Sequence, residues 1–233
     1  MAQLQDHICD VRSRISQAAR KAGRSPEDIT LVAVTKTVEA DVINEAIRLG
    51  IKNIGENRVQ EIRRKYEAID HRQGGKWHLI GHLQTNKVKY IIDKVDLIHS
   101  VDSYRLAEEI NKQAERSHKT MDILVQVNVS GEESKFGISA EQCHPLLTAI
   151  APLPHIKVRG LMTMAPYADN PEQARPYFKR LKDLAIDIKT KKVDNINMDY
   201  LSMGMTGDFE VAIEEGANIV RIGTALFGKR SQI

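Results

Sequence analysis

Apolar residues recur along the chain with two periods that take turns. Ile8, Val11, Ile15, Ala18, Ala19 and Ala22 fall three or four apart, which is a helical stripe, and Gly23 follows as a stop. "ITLVAVTK" is then an unbroken apolar, β-branched run and reads as a strand that ends on Lys36. Val42, Ile43, Ala46 and Ile47 mark the next helix, closed by Gly50. "KNIGEN" is a short strand and loop, and Val59, Ile62, Tyr66 and Ile69 mark a helix. "KWHLIGH" is the third strand, followed by a helix carrying Val88, Ile91 and Ile92. "DLIHSVD" is the fourth strand, with Leu106, Ala107 and Ile110 on its helix, and "DILVQVNVS" is the fifth.

A glycine-bearing loop, "GEESKFG", leads to a helix with Leu146, Leu147 and Ile150 that ends near Pro152. "KVRGLMTMAP" is the sixth strand. A long helix over 172–189 follows, with Pro176 either near its start or interrupting it. "YLSMGM" is the seventh strand, "DFEVAIEEG" a short helix ending at Gly216, and "NIVRIGTALFG" the eighth strand running into a final turn. Strands alternating with helices imply βαβ units and a parallel sheet. Eight of them in 233 residues predict one closed (β/α)8 TIM barrel with an extra helix in front, a single domain over 1–233. The alternative is an open doubly wound sheet, but that fold announces a glycine-rich phosphate turn after its first strand, where this chain has lysine and threonine.

Composition narrows the function. The 42% hydrophobic and 28% charged residues are ordinary for a globular chain, and the +3 net charge is spread over mixed signs. The nearest thing to a basic cluster, "KTKK" at 189–192, reads as a solvated helix end rather than a nucleic-acid surface. Cys9 and Cys143 have no metal-ligand spacing and suit a reducing cytosol. No apolar run is long enough to span a bilayer, and the N-terminus lacks the apolar core of a signal peptide, so a cytoplasmic location is expected.

In such a barrel the chemistry lies just past the strands. Those positions are Lys36, Asn57, the stretch 78–87, Asn128 with Ser134 and Lys135, Met162 to Met164, Ser202 to Thr206, and Arg221 to Thr224. Lys36 shares a strand face with Val34 and Val32, a face that could point into the barrel. A desolvated amine there is driven towards its neutral, nucleophilic form, suited to a Schiff base. A rim lysine snorkelling to solvent is the plainer alternative, and spacing alone favours it. Gly223 and Thr224 open a helical turn where a backbone could approach an anion, and "LSMGMTGD" supplies a neighbouring loop with hydroxyls on Ser202 and Thr206. Two such loops on consecutive strands favour phosphate over mere chain turning, and no nucleoside-triphosphate signature is present. His78 and His82 are four apart, but in a strand and loop with no acid to complete a zinc site. An aldehyde-reactive lysine beside a phosphate cradle suits pyridoxal 5'-phosphate, or a sugar-phosphate aldolase needing no cofactor.

Seven ordered blocks, "GRSPEDITLVAVTKT", "NIGENRVQE", "WHLIGHLQTNK", "VNVSGEESKFGI", "RGLMTMAP", "LSMGMTGDFEVAI" and "VRIGTALFG", run over almost the whole chain. On them the sequence resembles the pyridoxal phosphate homeostasis proteins, whose fold is a single barrel like the N-terminal domain of alanine racemase. The resemblance implies that Lys36 forms the internal aldimine, that Arg221 faces the pyridine nitrogen, and that Ser202, Gly223 and Thr224 bind the phosphate. It places Asn57 beside the cofactor and gives Met203 a contact with the ring. Thr206 stands where many members carry serine, and keeps the hydroxyl.

A permanently charged, donor-only guanidinium discourages protonation of the ring nitrogen, so the cofactor's electron sink is shallow. In the related racemases a second proton carrier, a tyrosine, comes from an added β domain. This sequence ends nine residues after Thr224, so an open mouth and a monomer are expected. The resemblance thus implies a cytoplasmic protein that holds pyridoxal phosphate reversibly, buffering or delivering it to dependent apoenzymes in transient contact, without robust catalysis. The alternative is an amino-acid racemase-type enzyme on the same cofactor, with its second proton carrier inside the barrel, near His82.

Overall fold

A computed structural model describes residues 2–70, 75–132 and 135–228. Eight strands, β1 (Thr30–Val34), β2 (Asn53–Glu56), β3 (Lys76–Leu79), β4 (Leu97–Val101), β5 (Met121–Gln126), β6 (Ile156–Met162), β7 (Ile196–Ser202) and β8 (Ile219–Ile222), pair in sequence order. All pairs are parallel, and β8 returns to β1 with Val32 opposite Arg221 and Ala33 opposite Ile222, so the sheet closes. The open-sheet alternative is thereby excluded. The helices are α1 (Ala2–Lys21), α2 (Ala40–Arg48), α3 (Val59–Lys65), α4 (Tyr104–Arg116), α5 (Ala140–Ile150), α6 (Arg175–Thr190), α7 (Phe209–Glu214) and α8 (Thr224–Phe227).

Strand alternation sorts the core into two layers. Residues such as Ala33, Ile54, Trp77, Leu79, Ile98 and Ile222 are buried between sheet and helices. Val32, Leu97, Leu124, Met162 and Ile219 fill the barrel interior. The early helix α1 belongs to the ring: its stripe of Ile8, Val11, Ile15 and Ala19 is buried, and it packs against α7 and α8. Because α8 is a single turn, it leaves sheet uncovered, and α1 fills that place. Just after α1, Arg24 donates to the carbonyls of Ile213 (3.0 Å) and Ala217 (2.7 Å).

Two expected helices change in detail, and the alternatives for Pro176 are decided. The helix expected over 172–189 starts at Arg175, after a 3-10 turn over Pro171–Ala174. The helix expected on Val88, Ile91 and Ile92 is a 3-10 helix over Thr85–Tyr90 running into a turn. A spacing of three stacks side chains in either helix type, and these three residues are fully buried with the shorter one. Pro176 does not interrupt α6. It lies in the first turn, where a missing N–H leaves no bond unmade. Among the described residues no helix is long and apolar enough to cross a membrane.

Candidate cofactor site

The carboxyl ends of β8, β1 and β2 lie side by side. β1 ends at Val34, so Lys36 stands two residues beyond the strand, half-buried in the turn that follows. Its neighbours are held tightly. Thr35 is buried, and its N–H donates to the Gly55 carbonyl (3.0 Å) and its hydroxyl to Glu56 Oε1 (2.7 Å). Lys65, 2% exposed, reaches in from α3 and donates to the Thr35 carbonyl (2.8 Å) and Glu56 Oε1 (2.7 Å), with Glu61 at 3.0 Å. A buried ammonium is tolerable because each of its protons has an acceptor and two of the partners are carboxylates. On the other side, Thr37 has φ of +64°, a left-handed conformation that a β-branched residue adopts only under constraint. Lys36, Thr37, Asn57 and Arg58 line part of a cleft of about 250 Å³ along the β1–β2 rim.

Arg221 occupies the interior. It is buried, and its Nη1 donates to Ser202 Oγ (2.6 Å) and its Nη2 to the Thr163 carbonyl (2.8 Å). No ion pair to Arg221 forms among the described residues, and burial pushes the guanidinium down to about 10. Ser202 Oγ lies 2.9 Å from His99 Nδ1, His99 Nε2 lies 2.9 Å from His78 Nδ1, and His78 Nε2 lies 3.1 Å from Asn53 Oδ1. Burial pushes His78 down to about 4 and His99 well below the usual imidazole range, so both rings are neutral.

The carboxyl ends of β6, β7 and β8 are stitched together by the backbone. Thr163 N–H donates to the Ser202 carbonyl, Met203 N–H to Ile219, and Arg221 N–H to Gly204. Gly223 is buried and caps α8, whose first residue, Thr224, is exposed. Gly204 has φ of +92°, and a Cβ there would lie 2.6 Å from that of Ala212, so this turn admits only glycine.

Lys36, Asn57, Ser202, Arg221, Gly223 and Thr224 all sit at the strands' carboxyl ends, as expected. Met203 is fully buried in the layer between sheet and helices, on the opposite strand face from Ser202. The Ser202 hydroxyl is shared between Arg221 and His99. His82 is separate from His78: it stacks on Phe136 at 4.2 Å and lies 3.7 Å from Asp102. Asn128 folds its loop by donating to the Glu132 carbonyl (2.9 Å), and Lys135 pairs with Glu132 (3.3 Å). Ser134 lies outside the described residues. Sequence reasoning missed His99, Asn53, Glu56 and Lys65. The available signal was a polar residue breaking each apolar run, as in "DLIHSVD".

The family described as alanine racemase, N-terminal domain, matches residues 8–231. The chain belongs to this family. Within it, the chain is 48% identical over 225 residues to the pyridoxal phosphate homeostasis protein of Aquifex aeolicus, covering 97% of each. It is 39% identical over 236 residues to the protein of that name from Escherichia coli, covering 99% of this chain and 98% of the relative. PipY of Synechococcus elongatus, solved with pyridoxal phosphate bound, superposes with a TM-score of 0.85 at 30% identity, covering 97% of this chain and 100% of PipY. The alanine racemase of Clostridium difficile shares the fold, with a TM-score of 0.75 at 16% identity over 58% of its length. The sequence resemblance to the pyridoxal phosphate homeostasis proteins is thus upheld.

Proposed function

We propose that this chain is a single barrel domain that holds pyridoxal 5'-phosphate covalently and reversibly at Lys36, and so buffers or delivers the cofactor in the cytoplasm. The observation that carries the reading is the β8–β1 seam. Ala33 pairs with Ile222, so Lys36 follows one strand while Gly223 and Thr224 follow its neighbour, about 4.8 Å away at strand spacing. The donor set suits the ligand: an amine for the aldehyde, a guanidinium for an acceptor ring nitrogen, and backbone N–H groups with a hydroxyl for the phosphate. PipY, with that cofactor bound and the same fold, supports it.

When bound, pyridoxal phosphate supplies an aldehyde that condenses reversibly with amines and a ring that draws electrons. Lys36 provides the amine, and the turn held by Thr35 and Thr37 limits where it can reach. Arg221 donates to the ring nitrogen and withholds a proton from it. Gly223 and Thr224 hold the phosphate, and Asn57 stands beside the ring. Ser202, which the resemblance gives to the phosphate, has its hydroxyl shared between Arg221 and His99 and acts on the cofactor through Arg221. Met203 would meet the ring only by leaving the layer beneath. Small amines reaching Lys36 through the mouth release the cofactor, which suits transfer to apoenzymes in transient contact and a monomer that binds neither nucleic acid nor membrane.

The test is spectroscopic. Protein mixed with pyridoxal phosphate gains visible absorbance, and borohydride fixes the label on Lys36; Lys36→Ala removes both. A protein that stays colourless, or is labelled elsewhere, refutes the reading. Incubation with single L-amino acids in deuterated water separates carrier from enzyme, since rapid α-hydrogen exchange would favour the racemase-type alternative.

A further inference from the structure

The polar chain through the barrel contains two histidines that the proposed function does not use. Its links, from Arg221 through Ser202, His99 and His78 to Asn53, measure 2.6, 2.9, 2.9 and 3.1 Å. The ends set its direction. Arg221 can only donate, so Ser202 Oγ accepts from it. Asn53 Oδ1 can only accept, so His78 Nε2 carries a proton and its Nδ1 is bare. His99 Nε2 then donates to His78 Nδ1, leaving His99 Nδ1 to accept the Ser202 proton. Both rings are held in one tautomer.

The layer beneath, with Val32, Leu97 and Leu124, shows that apolar side chains fill this barrel well. A buried polar chain is often no more stabilising than such packing. A carboxylate would also hold Arg221, but it would cancel the charge. This chain fixes the guanidinium through neutral acceptors, with Asp208 acting on its charge without pairing to it.

We propose that His99 and His78 are positioning residues, forming a one-way hydrogen-bonded relay that turns the Ser202 oxygen to Arg221 and holds its guanidinium against the cofactor's ring nitrogen. The inference rests on the function proposed above. The links of the chain join the rings to Ser202 and Arg221. Both rings act on the cofactor through these two residues.

Two measurements test it. In the protein without added cofactor, long-range proton–nitrogen NMR on 15N-histidine should find His78 and His99 neutral with the proton on Nε2 between pH 6 and 8. Protons on Nδ1, which would reverse the chain, or an imidazolium at either ring, would overturn it. The second is a double-mutant cycle on pyridoxal phosphate binding, followed by absorbance and borohydride labelling. His99→Leu should weaken retention about tenfold or more when Arg221 is present and less than about twofold in Arg221→Gln, with His99→Gln recovering most of the loss. Equal losses in both backgrounds mean the histidine only fills space, and the proposal fails. If His99→Leu does not fold, His78→Leu cuts the same chain one link further on and replaces it in the cycle. An unmodified protein that never labels at Lys36 refutes the proposed function instead, and the tautomer measurement then decides the relay alone.

Discussion

At the residue scale, the site rests on side chains whose surroundings leave them little choice. Gly204 turns the chain from β7 to α7 with φ of +92°, against the Cβ of Ala212 and the Cα of Phe209. Gly204→Ala therefore combines backbone strain with a clash, and should destabilise the protein by about 3 kcal/mol. Urea unfolding measures it, and a loss within about 0.5 kcal/mol would show that the turn accommodates a side chain. Gly207, with nothing within 4 Å of a Cβ, is the control. Some site residues were legible one at a time. Lys36 stood out because an amine closed an apolar run, and Gly223 with Thr224 because small and hydroxyl residues followed another. His99 interrupts the apolar run of "DLIHSVD", but that alone gives it no role. What gives it a role is contact with His78 on the preceding strand and with Ser202 on β7, far away in sequence.

At the scale of elements, α3 does more than cover the sheet. Lys65 at its last turn ties the helix to Glu56 of β2 and to the Thr35 carbonyl beside Lys36. Lys65→Met would strand the fully buried Glu56, whose Oε2 already lacks a hydrogen-bond partner among the described residues. A loss of about 3–5 kcal/mol is expected in chemical denaturation, with Lys65→Met/Glu56→Gln recovering part of it because the uncompensated charge is gone. If the single variant unfolds at the same midpoint as the parent, the ion pair contributes nothing net. Element types were largely readable, since the periods of two and about three and a half are local. The exception, the 3-10 helix over Thr85–Tyr90, arose because a spacing of three serves both helices, and burial of Val88 and Ile91 decided between them.

At the scale of the whole molecule, the interior histidines link stability to pH. His78 lies near 4 in the folded chain against an ordinary 6.5, so between those values the unfolded chain binds the extra proton. Stability is complete above about pH 6.5 and falls as the pH drops towards 4, by roughly 3 kcal/mol for His78 alone, at 1.36 kcal/mol per unit. His99, shifted the same way by burial, steepens the slope. Urea midpoints from pH 7.5 to 4.5 should fall less in His78→Gln than in the parent. Parallel curves would mean that the ring takes up its proton equally in the folded and unfolded chains. Cys143, its thiol pushed up to about 12 by burial, should resist alkylation until the barrel opens.

By itself the sequence determined the succession of strands and helices, the closed barrel as the economical way to cover them, and the ends of β1 and β8 as the candidate place for the proposed cofactor. These follow from local periodicity and from residue types that interrupt it, and both are properties of short windows. Only the tertiary structure decided that Met203 faces the outer layer, that Lys65 and Glu56 brace the turn before Lys36, and that Asn53, His78, His99, Ser202 and Arg221 join across the barrel. Hydrogen bonds and ion pairs depend on distances of about 3 Å between atoms, and those are fixed only when strands distant in sequence close into one barrel.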